Sequence, residues 1–171
     1  SLTPPDRSQE RTQKTKIVDI LSLSKTYGYR GFFGSGRVVN AVQDVSLELF
    51  GGELVGIVGE SGSGKSTLAR CLVRLIDPTS GDITIDGRNI STLSRGSLRP
   101  YRSEFQIVFQ DPYRSLNPRR TIEQSLIEGP MNFGLSQEEA KSRAKEILTI
   151  VGISPEAMSR FPHQFSGGQR Q

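Results

Sequence analysis

Nine residues constrain the fold more than any other stretch: Gly59-Glu60-Ser61-Gly62-Ser63-Gly64-Lys65-Ser66-Thr67. They fit G-x-x-x-x-G-K-[ST], a loop that wraps phosphate. Before them runs Leu54-Val55-Gly56-Ile57-Val58, an apolar segment expected as a strand buried in a parallel sheet. After them Leu68, Leu72 and Leu75 recur at helical spacing, and Ile76-Asp77-Pro78 is expected to stop that helix. Glycines let successive N–H groups turn inward around an anion. A following helix points its positive end at the same phosphates. Lys65 is expected to reach the β- and γ-phosphates, and Ser66 to ligate Mg²⁺. The loop alone leaves kinase, GTPase, transport ATPase and helicase open.

A chain of 171 residues is long enough for an ordinary domain with a substantial core. Its net charge of +4 is mild, and sparse aromatics (7%) alternate with no basic stripe, so no nucleic-acid partner is expected. The single cysteine, Cys71, cannot form an internal disulfide and reads as a small core residue on the helix after the loop. No apolar run approaches the roughly 20 residues of a membrane helix. Residues 1–16 are polar with a Pro4-Pro5 pair and read as a flexible tail or linker. The sequence starts at Ser1 and stops at Gln171, directly after a glycine pair, which suggests a fragment.

In chain order, residues 17–23 alternate loosely and run as a strand into a turn at Ser24-Lys25-Thr26-Tyr27-Gly28. Residues 29–37 read as a loop or hairpin insertion. Val45-Ser46-Leu47-Glu48-Leu49 alternates as a half-buried strand, turned back by Gly51-Gly52. Residues 81–87 form a strand closed by an Asp-Gly turn. Residues 105–109 are a further short apolar strand leading into Gln110. Then the chain becomes helical. Thr121-x-x-Gln124 is a capping box for a short helix stopped by Gly129-Pro130. Ser136-x-x-Glu139 is a second box, followed by a stripe of Ala140, Ala144, Ile147, Leu148 and Val151, with Gly152 at the C-terminal cap. The domains expected are therefore a tail over 1–16, a β-rich nucleotide-binding core over 17–110 and a helical subdomain over 111–171.

The phosphate loop, Gln110 after a strand, and Phe165-Ser166-Gly167-Gly168-Gln169 follow in that order. The combination resembles the nucleotide-binding domain of an ABC transporter, from about residue 17 onward. Phenylalanine stands at 165 where the family signature usually has leucine. The resemblance implies an α/β fold, a P-loop NTPase of ABC type. It has a RecA-like core plus an α-helical subdomain, with the C-terminal part of the core missing from this stretch. It also implies ATP and Mg²⁺ as ligands. Tyr27 then stacks on adenine, with Phe32 and Phe33 as alternatives. Gln110 contacts Mg²⁺ and the attacking water. Ser166, Gly167, Gly168 and Gln169 close over ATP bound to a second nucleotide-binding domain. The partners implied are that domain, in a homodimer, a heterodimer or a tandem chain, and transmembrane permease subunits. The place implied is the cytoplasmic face of the cell membrane, peripherally.

The run Phe109-Gln110-Asp111-Pro112-Tyr113-Arg114-Ser115-Leu116-Asn117-Pro118-Arg119 is similar to the ATPases of dipeptide and oligopeptide importers, so peptide-type import is expected. Arg114, Arg119 and Arg120 face either a partner or solvent. In the family a Walker B strand and a switch histidine follow the signature. His163 precedes it and reads as structural. Without those parts, this stretch by itself is expected to hydrolyse ATP negligibly. The phosphate-loop strand is also expected to carry an open edge that favours aggregation. The linker-like start fits the second half of a tandem chain. Two other readings are an ABC-type ATPase without transport, in DNA repair or translation, and an ATP-binding regulator without turnover. No heptad run supports the former.

Overall fold

The computed structural model describes residues 14–29, 37–113 and 115–171. Residues 1–13 of the tail expected over 1–16, together with Phe32, Phe33 and Arg114, lie outside them. The chain divides into two compact units, Ser1–Ile107 and Val108–Gln171.

The first unit is built on a four-stranded antiparallel sheet. Strand β1 (Lys16–Tyr29) lies between β2 (Arg37–Phe50) and β3 (Ser80–Ile85), and β4 (Arg88–Asn89) closes the edge beside β3. Both long strands are bulged, with Ser22 at φ 48° and Asp44 at φ 45°. Bulging frees ladder N–H groups, and hydroxyls accept from them here. Ser46 Oγ accepts from Ser22 N at 3.0 Å, and Ser24 Oγ from Asp44 N at 2.9 Å. β1 therefore continues where the sequence suggested a turn at 24–28. Lys16, expected in the tail, belongs to this strand and ion-pairs with Asp19 and Glu48 at 2.8 and 2.9 Å. The Asp86-Gly87 turn, with φ 46° and 75°, joins β3 to β4 as a type I′ pair should.

Helix α1 (Lys65–Leu72) packs on this sheet. Leu68 and Cys71 join Ile20, Leu23, Val42 and Ile83 in one buried cluster. The helix ends earlier than its apolar spacing suggested. Arg74 adopts a left-handed φ of 50°, and Leu75 is half exposed, so proline is not the stop. Arg74 is itself buried. Its Nη1 donates to the carbonyl of Ile90 at 2.6 Å and to that of Ser91. Its Nη2 donates to Leu93 O at 3.1 Å and Asp77 Oδ1 at 3.0 Å. Arg102 caps the helix end from outside, donating to Val73 O at 2.5 Å and Arg74 O at 2.9 Å. A cation there also answers the negative end of the helix dipole. Helix α2 (Arg95–Leu98) is one turn capped by Ser94, and its Leu98 joins the core.

Two expected strands are not strands. Residues 54–58 and 105–109 are irregular. Leu54 is 94% exposed, Val58 96% and Val108 77%. An apolar run becomes a strand only when another strand pairs with it. Among the described residues neither run has such a ladder.

The second unit is helical. Helix α3 (Ile122–Asn132) opens with the reciprocal Thr121/Gln124 box and runs through Pro130, past its expected stop. The proline falls in the last turn, where one missing hydrogen bond costs least. Helix α4 (Gln137–Ile150) opens with the Ser136/Glu139 box. It ends in a Schellman motif, with Gly152 N donating to Thr149 O at 3.1 Å and Ile153 N to Leu148 O at 2.8 Å. Ala140, Ala144 and Leu148 are buried, but Ile147 and Val151 are half exposed, so the stripe is narrower than the sequence suggested. Met158, Ala157 and Phe165 complete the packing. His163 stacks on Phe161 with ring centroids 5.8 Å apart. Arg120, a candidate partner contact, pairs within the chain with Glu128 at 2.5 Å. No helix among the described residues is long and apolar enough to cross a membrane.

Candidate functional site

The phosphate loop bends back on itself and enters α1. Gly62 and Gly64 adopt φ 84° and 90°, which side chains other than glycine resist. At Gly64 the constraint is doubled, because a Cβ would sit 2.0 Å from the Ala41 carbonyl oxygen of β2. At Gly59 a Cβ would meet Ser63 Oγ at 2.9 Å. The loop is thus wedged between α1 and the backbone of β2, and Leu68 N closes the first helical bond to Gly64 O at 2.8 Å.

This geometry leaves an anion site. Helix α1 begins with no side-chain cap and no acidic residue in its first turn. Its first N–H groups have no intrahelical acceptor, and the dipole favours negative charge there. The Lys65 ammonium is folded onto the loop. It donates to Gly59 O at 2.7 Å, Glu60 O at 2.6 Å and Ser63 Oγ at 3.2 Å. Among the described residues only neutral acceptors hold this cation, so a phosphate can compete for it. A cavity of about 600 Å³ opens beside the loop, lined by Gly59, Ser63, Gly64 and Lys65 on one side and by Ala41 and Val42 on the other. Ser66 and Thr67 lie in the first turn, with the Ser66 side chain exposed. No cluster of three metal-ligating side chains occurs among the described residues. The exposed Ser66 hydroxyl is the side-chain oxygen at the helix start that could share an Mg²⁺ ion with phosphate oxygens.

Tyr27 stands on β1 opposite Val39, and both side chains are about half exposed. The Lys25 ammonium lies 5.1 Å from the Tyr27 ring centroid and donates to Asp77 O at 2.7 Å. One ring face is therefore engaged. Two residues beyond Val39, β2 presents Ala41, whose carbonyl backs Gly64. The strand spans about 7 Å over that interval. Strand β2 thus pairs with Tyr27 at Val39 and backs the phosphate loop at Ala41.

In the second unit Gln110 is exposed and precedes a tight turn, in which Asp111 Oδ1 accepts from Tyr113 N at 2.9 Å. The serine of the Ser-Gly-Gly-Gln segment caps a short helix, α5 (Gly167–Arg170). Ser166 Oγ accepts from Gln169 N at 3.3 Å, and Gln169 Oε1 accepts from Ser166 N at 3.0 Å. The cap uses a lone pair of the hydroxyl and leaves its proton free to donate. The box engages the side-chain oxygen of Gln169, the residue expected at the nucleotide, and makes no use of its amide N–H groups. Gly167 and Gly168 open the helix, where N–H groups lack partners by position. Sequence reasoning missed Arg170, which donates from Nε to Phe165 O at 3.0 Å and lies 4.2 Å from the Tyr113 ring centroid. Ala41 was missed too. A carbonyl gives no sequence signal, whereas Arg170 directly follows the signature and could have been singled out.

Comparison with known proteins gives a consistent picture. The sequence profile of the ABC transporter family matches residues 42–171. A probable peptide ABC transporter ATP-binding protein, y4tS of Sinorhizobium fredii, is 49% identical over 158 residues, covering 91% of this chain and 45% of that protein. The glutathione import ATP-binding protein GsiA of Salmonella choleraesuis is 48% identical over 136 residues, covering 79% of this chain and 22% of its own length. The chain thus spans less than half of these curated relatives. Among solved structures, the dimeric post-hydrolysis state of an ATP-binding cassette bound to ADP and Pi superposes with a TM-score of 0.75. It is 31% identical, and the match covers 90% of this chain and 65% of that one.

Proposed function

The chain belongs to the ABC transporter family, and from that premise we propose that it is the ATP-binding part of a subunit that powers import of peptides or a related small solute. One observation carries the reading most directly. A cation and an uncapped helix start converge on a loop that admits no Cβ at Gly64, and this is the design of a phosphate cradle. The importer resemblance of residues 109–119 and the names of the relatives favour peptide-type cargo.

In this reading residues 59–67 wrap the β- and γ-phosphates, and Lys65 leaves its three loop acceptors for them. Tyr27 offers its free ring face to adenine. Ser66 and Gln110 would hold Mg²⁺, which supplies charge neutralisation at the phosphates when bound. Gln110 also orients the attacking water. Ser166 donates its free hydroxyl proton, with the Gly167 and Gly168 amides, to the nucleotide of a second such domain. Closure of the pair on ATP, and reopening after hydrolysis, is passed to transmembrane permease subunits at the cytoplasmic face of the cell membrane.

The test is binding, then transport. A fluorescent ATP analogue titrated into the protein with Mg²⁺ should saturate and be displaced by ATP. Lys65→Ala should weaken it by about a hundredfold, and Tyr27→Ala by about tenfold. Tripolyphosphate affinity should follow Lys65 but not Tyr27. Unchanged binding in Lys65→Ala would sink the reading. Cargo is settled by reconstituting the full-length protein with its permeases and measuring ATP-dependent uptake of labelled peptides.

A further inference from the structure

Helix α5 buries none of its own residues, although it carries the signature. Its direction must therefore be set by anchors at its ends. Upstream the anchor is Phe165, buried beside Ile122 and Ala157. Downstream it is Arg170. This side chain makes two attachments with one planar group. Its Nε returns to Phe165 O at 3.0 Å, which closes the segment into a loop around Ser166. Its guanidinium centre lies 4.2 Å from the centroid of the Tyr113 ring, well inside cation–π range.

Tyr113 is in turn fixed to the turn that follows Gln110. Its N–H is held by Asp111 Oδ1 at 2.9 Å, and Ser115 Oγ donates to Pro112 O at 2.8 Å. Tyr113 is 65% exposed, so burial of its own ring does not account for its place. The guanidinium is what holds it. Lysine could supply the charge over the ring, but not the Nε–H bond to Phe165 O from the same group.

We propose that Arg170 and Tyr113 are positioning residues that join the turn after Gln110 to the signature segment, so that the two move as one body. The inference rests on the proposed function, in which Gln110 meets the metal and water while Ser166 meets the nucleotide of the partner domain. Displacement of the Gln110 turn then swings Tyr113, drags Arg170 and re-aims the Ser166 hydroxyl. Neither positioning residue touches nucleotide.

The test uses the natural full-length protein. Association driven by a non-hydrolysable ATP analogue with Mg²⁺ is measured by sedimentation, and analogue binding to the dilute subunit by fluorescence. Arg170→Met and Tyr113→Leu should each weaken the driven association by about tenfold, with subunit binding unchanged. The double variant should be no worse than either single one. Tyr113→Phe, which keeps the ring face, should behave as wild type. Melting curves check folding, and Tyr113→Leu, at an exposed site, keeps the test available if Arg170→Met unfolds. Additive losses, or wild-type association in both single variants while Ser166→Ala abolishes it, would overturn the link and leave the proposed function standing. Wild-type association in Ser166→Ala would overturn the trans role of the signature, and the link with it.

Discussion

Replacing Gly64 by alanine tests the cradle at its tightest point. Two costs add. An L residue at φ 90° loses about 1–2 kcal/mol relative to glycine. The new methyl group would also lie 2.0 Å from the Ala41 carbonyl oxygen, where ordinary contact begins near 3.4 Å. That oxygen belongs to the β2 backbone and cannot rotate aside as a flexible side chain would. The loop must move instead, by more than an ångström, and its N–H groups move with it. Misplacement on that scale costs about a hundredfold where geometry sets the interaction. Gly64→Ala should therefore raise the ATP dissociation constant by about a hundredfold or more, equivalent to about 3 kcal/mol. Gly62 supplies the control. It has φ 84° but open space around its Cβ position, so Gly62→Ala should cost only the backbone term of about 1–2 kcal/mol. Both are read by titrating a fluorescent ATP analogue, with circular dichroism to confirm the fold. Gly64→Ala binding within about threefold of wild type, or equal losses in the two variants, would refute the wedge argument.

Other outcomes follow from the packing. Arg74→Met orphans the carbonyls of Ser91 and Leu93, leaves that of Ile90 with only the Leu93 N–H at 3.4 Å, and should lower stability by about 3 kcal/mol, read as a urea midpoint shift. A loss under about 0.5 kcal/mol would show that water replaces the guanidinium. Hydrogen bonds from the Ser136 hydroxyl, and then from its backbone, hold the Glu139 carboxylate below its ordinary titration range. A depressed carboxylate stabilises the fold fully above its unfolded value and loses that contribution as pH falls through the folded one. Melting temperature should therefore drop between about pH 5 and pH 3 more steeply in wild type than in Glu139→Gln, and parallel profiles would contradict the cap. Burial pushes the Cys71 thiol up, and the residue is fully buried. It should react with iodoacetamide only on unfolding. Rapid alkylation of the native protein would place it elsewhere.

Features that depend on a few adjacent residues were legible in the sequence. Both capping boxes, at Thr121 and Ser136, stand where their spacing put them, and so do the Asp86-Gly87 turn and the glycine cap at Gly152. Each is closed by atoms within five residues, so local chemistry decides it. What was misread depends on distant partners. The run 54–58 is apolar enough for a buried strand, but strand character belongs to a ladder and not to a segment. β1 passes through Ser24-Lys25-Thr26-Tyr27-Gly28 because β2 pairs with it and hydroxyls fill its bulges. No local propensity announces that. The end of α1 was misread for a similar reason. Arg74 can hold a left-handed backbone because loop carbonyls at 90–93 receive its side chain, a contact 16 to 19 residues away.

The same distinction explains why the phosphate loop keeps its shape beside an irregular, exposed neighbour. The segment entering it, with Leu54 and Val58 in solvent, cannot supply its rigidity. The rigidity comes from the exit side. Leu68 and Cys71 seat α1 in the core formed by Ile20, Leu23, Val42 and Ile83, and Ala41 of the same β2 strand presses on Gly64. Burial of two helix side chains is worth about 3–5 kcal/mol, enough to fix the helix start against the sheet. The cradle is therefore specified by two things the motif does not contain: a β2 backbone whose Ala41 carbonyl backs Gly64, and apolar residues at 68 and 71 on the buried face of α1. A G-x-x-x-x-G-K-[ST] match without both would be a glycine-rich turn. With both, the match becomes a site held open for an anion.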